Sequence, residues 1–308
     1  MKKFVLGVDV GGTNIKFGLV NPSGKVIVRN SLVTKTFIRD QKKLIQAMVD
    51  ALVDLMAREH LPVRRIAGIG VGLPGIVDTK QGMVRFLPNI PGWRDVPLEK
   101  ILRKKLDVPV FIENDVNMIT LGEWRFGAGR GIKNLVCVTL GTGVGGGLIM
   151  DNKLYHGEGF AAGEIGHIPI NEKGPHCSCG GFGCLESYVG NKHLVKRAGE
   201  IMNKQEMALE EMFRLANAGN RKALKFWEET ATHIGNGLVG VVNLLNPQRI
   251  VIGGGVANNH KFLFKTIQDI IRKRAMPTQA AMVEILRAKL GNDAGIIGAQ
   301  VLVNHGIQ

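Results

Sequence analysis

The sequence predicts an α/β protein made of two similar domains with a cleft between them. Three observations point there. Short apolar runs that read as buried strands alternate with stretches of helical spacing. A strand, a glycine–threonine turn, a returning strand and a second turn occur from Phe4 to Val20, and the same layout recurs from Leu135 to Lys153. Such an internal duplication implies paired domains. Finally, Glu113-Asn114-Asp115-Val116-Asn117 sits at the carboxyl end of an apolar strand, where open α/β sheets bind ligands.

Phe4 to Val8 is the first buried strand, and Asp9 to Asn14 reads as a turn. Ile15 to Val20 is a second strand, Asn21-Pro22-Ser23-Gly24 a hairpin turn, and Lys25 to Asn30 a third strand. A glycine turn with an acid at its mouth lets backbone N–H groups approach a polyphosphate. Thr13 adds a hydroxyl, and Asp9 could hold a metal ion. Asp40 to His60 has helical apolar spacing in Leu44, Ile45, Met48, Leu52, Leu55 and Met56. Ile66 to Leu73 is a strand ended by Pro74-Gly75, and the proline- and glycine-rich Phe86 to Trp93 reads as a loop. Leu98 to Leu106 is a helix and Pro109 to Ile112 a strand. Asn114 or Asp115 could also simply cap the helix that follows.

The second cycle runs from Leu135 to Leu140 as a strand, Gly141 to Gly147 as the turn, and Leu148 to Met150 as the returning strand. Tyr188 to about Asn246 is mostly helical. Arg249 to Ile252 is a strand, with Gly253-Gly254-Gly255 leading into another helix. Ala281 to Ala288 is the last expected strand, and a terminal helix opens at Gly291 to Gly295.

Between the duplicated hairpin and the helical region lies G-E-I-G-H-I-P-I-N-E-K-G-P-H-C-S-C-G-G-F-G-C-L-E, Gly163 to Glu186. His167, Cys177, Cys179 and Cys184 make a Cys3His set, the donor chemistry of a closed tetrahedral zinc site. A metal there would clamp a loop flanked by Glu164 and Glu186. Three close cysteines also suit a redox cluster or buried small hydrophobes, and His176 is an alternative ligand to His167.

The 308 residues are 45% hydrophobic, ample for two cores, and no apolar run is long enough to span a membrane. The basic start at Met1-Lys2-Lys3 leads into an apolar run that Asp9 cuts too short for a signal peptide, so a cytoplasmic location is expected. The net charge of +14 reads as a solvated surface rather than a nucleic-acid face. Its cations are spread along the chain, in clusters no longer than Arg103-Lys104-Lys105, with no interleaved aromatics. The 41 glycines point to ligand loops lined by backbone.

An ordered set of motifs covers essentially the whole chain. It comprises D-V-G-G-T-N-I-K from Asp9, G-L-P-G from Gly72, P-N at Pro88-Asn89, E-N-D-V-N from Glu113 and L-G-T-G-V-G-G-G from Leu140. G-E-I-G-H from Gly163, C-S-C-G-G-F-G-C-L-E from Cys177, G-G-G from Gly253 and G-N-D-A-G-I-I-G-A from Gly291 complete it. In this the chain resembles the ROK family of sugar kinases, which have the two-domain actin-like (ribonuclease H-like) ATPase fold with nucleotide and sugar in the interdomain cleft.

The resemblance implies Asp115 as the catalytic base that accepts the proton of a sugar hydroxyl. It implies Gly75, Asn89, Asn114, Asp115, Glu164, His167 and Glu186 as sugar ligands. Asp9, Gly11, Gly12, Thr13, Asn14 and Lys16, with Gly141, Thr142, Gly143 and Gly145, match the two phosphate loops, and Gly254 and Gly255 the nucleotide turn. His167, Cys177, Cys179 and Cys184 match the structural zinc site. ATP, Mg²⁺ and structural Zn²⁺ are thus expected. The expected domains are residues 1–116 with 291–308, and 117–290 carrying the zinc loop. The segment Leu87 to Trp93 looks most like the glucokinase branch, so glucose is the favoured hexose over N-acetylglucosamine, N-acetylmannosamine or fructose. Assembly as a homodimer or homotetramer is expected, without nucleic-acid or membrane partners. A transcriptional repressor of the same family is the rival reading; it needs a helix-turn-helix ahead of Asp9, for which eight residues leave no room. A catalytically silent sugar sensor is a second rival, disfavoured by Asp115 and both phosphate loops.

Overall fold

The computed structural model describes residues 3–37, 40–87, 90–257 and 261–305. The chain divides into two units. The first comprises Met1–Gly131, Leu154–Ala162 and Lys289–Gln308, and the second Ile132–Lys153 and Gly163–Ala288.

In the first unit, β1 (Phe4–Val10), β2 (Asn14–Val20) and β3 (Val26–Val33) form an antiparallel meander. Helix α1 (Gln41–Arg58) begins where the Asp40 carboxylate accepts the Lys43 N–H at 3.0 Å, and its Leu44, Met48, Leu52 and Leu55 stripe is buried. β4 (Ile66–Leu73) then pairs parallel with β1. Three short strands, β5 (Ile76–Asp78), β6 (Met83–Phe86) and β7 (Arg94–Val96), make a separate antiparallel sheet. Phe86, expected in a loop, therefore closes a strand, and Trp93 behind it is buried at 2% exposure. Strands this short, broken by turns, carry no alternation to read. α2 (Leu98–Leu106) leads to β8 (Val110–Asn114), which runs parallel to β4 and passes directly into α3 (Asp115–Phe126). The main sheet has the order β3-β2-β1-β4-β8.

The second unit repeats this plan. β9 (Leu135–Leu140), β10 (Val144–Met150) and β11 (Lys153–Leu154) precede the helices α4 (Glu186–Val189), α5 (Asn191–Ile201), α6 (Leu209–Asn217) and α7 (Arg221–Leu245). β12 (Arg249–Gly253), α8 (Lys261–Arg274), α9 (Pro277–Met282) and β13 (Glu284–Arg287) follow. The sheet order β11-β10-β9-β12-β13 mirrors the first sheet strand for strand, with β9 and β10 antiparallel and β12 parallel to both β9 and β13. Both five-stranded sheets therefore carry the duplication that the two glycine–threonine turns announce.

The chain closes with α10 (Ala294–His305), which returns to the first unit and packs on β1, β4 and α3. Glycines make that approach possible. A Cβ on Gly70 would lie 2.7 Å from the Ala299 Cβ, and one on Gly298 would overlap the Met118 carbonyl. These glycines are packing surfaces, a role that the glycine count alone does not separate from ligand loops. The same contact keeps α3 within the first unit. Among the described residues no helix is long and apolar enough to cross a membrane.

Candidate active site and metal centre

The β8–α3 junction holds the candidate base. Asn114 is the N-cap of α3: its side-chain oxygen accepts from the N–H groups of Val116 at 2.9 Å and Asn117 at 3.1 Å. Its Nδ2 donates to the Gly75 carbonyl at 3.2 Å. Gly75 follows β4 with φ of 104°, a left-handed conformation open to glycine and strained for other residues. Asp115 is the first residue of α3, and the Val116 N–H donates to its Oδ1 at 2.9 Å. The Val116 N–H is thus shared by the cap that starts the helix and by the Asp115 side chain. Gly75, Asn114 and Asp115 come together as expected; Asn89 lies outside the described residues.

The first glycine turn is shorter than expected. β1 continues through Asp9 and Val10, and β2 starts at Asn14, so Gly11 to Thr13 make the turn, closed by the Gly11 N–H donating to the Asn14 carbonyl at 3.0 Å. Asp9 faces Lys16 across the ladder, with Nζ 3.7 Å from Oδ2. The Asp9 side chain is 15% exposed. Burial pushes its carboxyl above the usual carboxylate range, against the lowering pull of Lys16.

In the second unit the turn is Gly141-Thr142-Gly143, and β10 already includes Val144 to Gly147. Gly145, expected in the turn, pairs instead with Thr139 in the ladder. The strand extends because backbone lies against it: a Cβ on Gly146 would overlap the Gly163 carbonyl. The turn is braced on three sides. The Asn191 N–H donates to the Gly141 carbonyl at 2.9 Å. Glu186 Oε2 accepts the Val144 N–H at 2.8 Å, and a Cβ on Gly143 would collide with that carboxylate. A Cβ on Gly254, which has φ of 88°, would overlap the Leu140 carbonyl. Gly141, Gly143, Glu186 and Gly254 therefore form one cluster.

The donor atoms of His167, Cys177, Cys179 and Cys184 all lie within 4.8 Å of one another. A tetrahedral Zn–S length of about 2.3 Å implies sulfur separations of about 3.8 Å. Cys179 and Cys184 have their sulfurs 3.7 Å apart. His167 turns Nδ1 towards Cys177 Sγ at 3.5 Å, and its Nε2 lies 3.8 Å from Glu164 Oε2. His176 instead packs edge-on against Phe182 and is outside the cluster. The thiols oppose one another's ionisation. Burial raises the Cys177 thiol, but the Cys179 backbone N–H and neighbouring side chains outweigh it and bring it down to about 6. Burial and the sulfurs of Cys179 and Cys177 push Cys184 up to about 12. A dication at the centre removes that conflict, so the donor set fits zinc.

One residue quoted in the motifs without a role is conspicuous. Glu113 is 1% exposed, yet its carboxylate contacts three groups: the Asn114 N–H at 2.8 Å, Asn117 Nδ2 at 3.0 Å and His156 Nε2 at 2.7 Å. Nothing near His156 in the sequence marks it as a partner of Glu113, 43 positions earlier.

The ROK family profile matches residues 5–305. A glucokinase of Halalkalibacterium halodurans is 37% identical over 98% of this chain and 96% of its own length. A solved ROK family glucokinase from Streptomyces griseus, in complex with glucose and AMPPNP, superposes with a TM-score of 0.84 at 31% identity, covering 98% of this chain and 100% of that one. A xylose repressor of Caldicellulosiruptor bescii is 31% identical over 97% of this chain but only 77% of its own length.

Proposed function

The chain belongs to the ROK family, and from that premise we propose that it transfers the γ-phosphoryl group of ATP to a hexose, glucose at its 6-hydroxyl being the acceptor. It is a sugar kinase of the actin-like ATPase fold. The observation that carries the reading is Asp115 held at the first residue of α3 by the Asn114 cap, in a chain that matches glucokinases over its whole length. Asp115 orients the sugar hydroxyl and takes its proton late in transfer. Gly75, Asn114, Glu164, His167 and Glu186, with Asn89, are the proposed sugar ligands. Asn114 Nδ2 has a second proton for a hydroxyl beside the one given to Gly75. Gly11 to Asn14 and Gly141 to Gly143 offer N–H groups to the phosphates, and Gly254 and Gly255 border the nucleotide.

Asp9, a buried carboxylate opposed only partly by Lys16, suits a dication, and we assign it to Mg²⁺, directly or through water. Magnesium supplies charge neutralisation on the phosphates. We assign zinc to His167, Cys177, Cys179 and Cys184, where it supplies no reaction chemistry and braces the loop that ends at Glu186. A cytoplasmic setting, which keeps these thiols reduced, and assembly as a homodimer or homotetramer complete the proposal. A coupled ADP-release assay with MgATP tests it. Glucose-dependent turnover is expected, and ATP consumption no faster with glucose than without it would reject the kinase reading in favour of a sugar sensor.

A further inference from the structure

Glu113 is unused by the proposed reaction, although it is the residue two before the base. A carboxylate at 1% exposure is costly unless hydrogen bonded, and here both oxygens have partners. Oε1 accepts the Asn114 N–H and Asn117 Nδ2. Those two residues are the cap of α3 and the third residue of its first turn, so Oε1 braces the turn that carries Asp115 from both sides. Oε2 is held by a group from elsewhere in the chain, His156 Nε2, at 2.7 Å. One proton joins that pair, and without His156 the oxygen would be a buried acceptor with no partner among its described contacts.

His156 is itself held. It lies in Leu154–Ala162, the stretch that leaves the second hairpin to join the first unit. Its carbonyl accepts the Ala162 N–H at 2.9 Å, closing the stretch into a loop. Its ring meets Phe160 edge-on at 6.3 Å, and Lys80 Nζ lies 5.7 Å from the Phe160 centroid. The side chain is 15% exposed. A histidine so seated is a preorganised donor aimed at one oxygen, as expected of a group that orients a site rather than one that fills a core.

We propose that His156 is a positioning residue for phosphoryl transfer, acting through Glu113 to hold the Asn114–Asp115 turn in its productive geometry. The proposal rests on the reading of Asp115 as the base. It assigns His156 no contact with sugar or nucleotide. Its loss therefore changes turnover and leaves nucleotide affinity alone.

The test compares His156→Ala, His156→Phe and His156→Gln in the full chain, measuring kcat, KM for glucose and for ATP, and Tm. Glutamine offers an N–H near the position of Nε2; phenylalanine fills the volume without a donor. The expected result is a kcat lowered roughly tenfold in both Ala and Phe, the scale of a sub-ångström misplacement of a reacting group, with KM for ATP within about twofold of wild type. His156→Gln should recover kcat to within about threefold. Should His156→Ala fail to fold, Phe against Gln decides alone. A kcat for Phe within twofold of wild type, or equal losses in Phe and Gln, overturns the proposal, whatever happens to Tm. Asp115→Asn is run alongside. Near-wild-type turnover there rejects the base, whereas a slow Asp115→Asn with a fully active His156→Phe rejects only the positioning role.

Discussion

Asp115 and Asp9 are both carboxylates at strand ends, and their surroundings set them apart. Asp115 has its Oδ1 held by the Val116 N–H, a local bond that keeps the side chain in one direction. Asp115→Asn preserves shape and most hydrogen bonding but cannot take a proton. It should leave sugar binding nearly intact and lower kcat by at least ~10²-fold. Steady-state kinetics check this, and more than half the wild-type kcat would mean that another group accepts the proton. Asp9 is buried, and its carboxyl sits above the usual range because ionising it there is unfavourable. A carboxyl whose folded pKa exceeds its unfolded value of about 3.9 holds its proton more tightly when folded. Its contribution to stability is present below the unfolded value and lost as pH rises through the folded one. At neutral pH the ligand-free protein therefore has less of that stability than in acid. Asp9→Asn should be more stable than wild type at neutral pH by up to ~1 kcal/mol, converge with it in acid, and lose activity. Thermal melts across pH read this out; a wild type at least as stable as the variant at pH 7 would contradict it.

Elements rather than single residues explain the cysteine loop. Backbone hydrogen bonds from Leu185 to Ile168 and from Ile170 to Gly183 lay two segments side by side as an isolated antiparallel bridge. The tight turn closed by the Cys177 N–H on the Gly181 carbonyl then brings Cys177, Cys179 and Cys184 together. The next residues are Leu185 and Glu186, where α4 begins and where the carboxylate grips the Val144 N–H of the second glycine turn. Loosening the loop should thus disturb Glu186, the proposed sugar ligand, and the second glycine turn, the proposed phosphate turn, at once. The pure protein should contain one zinc per chain. Cys184→Ser should lose it, with a lower Tm and a higher KM for glucose in the same variant. Elemental analysis and melting curves test the pair, and a zinc-free protein with full activity after chelation would return the cysteines to the buried-hydrophobe reading. Elements also account for the strand errors. Gly145 to Gly147 lie in β10 because another backbone stretch packs on them, and Ala281 and Met282 belong to α9, begun by Pro277, rather than to the last strand. Neither neighbour is visible in a window of a few residues.

At the scale of the whole molecule, two copies of one plan divide the work of a kinase. Each has a glycine turn between its first two strands, and the first copy adds the proposed base, Asp115, while the second adds the loop with the Cys3His cluster. The acceptor follows from the ligands this plan supplies. The proposed ligands, Asn114, Glu164, His167 and Glu186 with Asn89, are of the residue types that suit a sugar whose hydroxyls are all free. A site built to bind hydroxyls penalises a ligand that lacks one by ~1–3 kcal/mol for each partner left unpaired. Glucose should therefore exceed N-acetylglucosamine, N-acetylmannosamine and fructose in kcat/KM at saturating MgATP. An N-acetylhexosamine better than glucose by tenfold, about 1.4 kcal/mol of transition-state preference, would overturn the acceptor while leaving the kinase in place.

The sequence by itself determined whatever depends on near neighbours. Strands such as Ile66–Leu73 and Leu135–Leu140 and the helix Leu98–Leu106 lie at the predicted bounds, because unbroken apolar runs and 3.6-residue spacing are local signals. The duplication was legible because each turn lies between strands of its own copy. Asp115 was legible as a strand-end carboxylate, and the cysteines as a spaced donor set. Tertiary structure alone decided which histidine joins those cysteines: His176 is next to Cys177 in sequence and His167 ten positions before it, yet the pairing of Ile168–Ile170 with Gly183–Leu185 brings His167 to the cluster. It decided that many glycines are places where α10 lies against strands and α3. It also joined His156 to Glu113 and Glu186 to Val144, pairs separated by 43 and 42 positions. The hydrogen bonds of a buried carboxylate depend on whatever the fold carries to it, and that distance exceeds the reach of any periodicity in the chain.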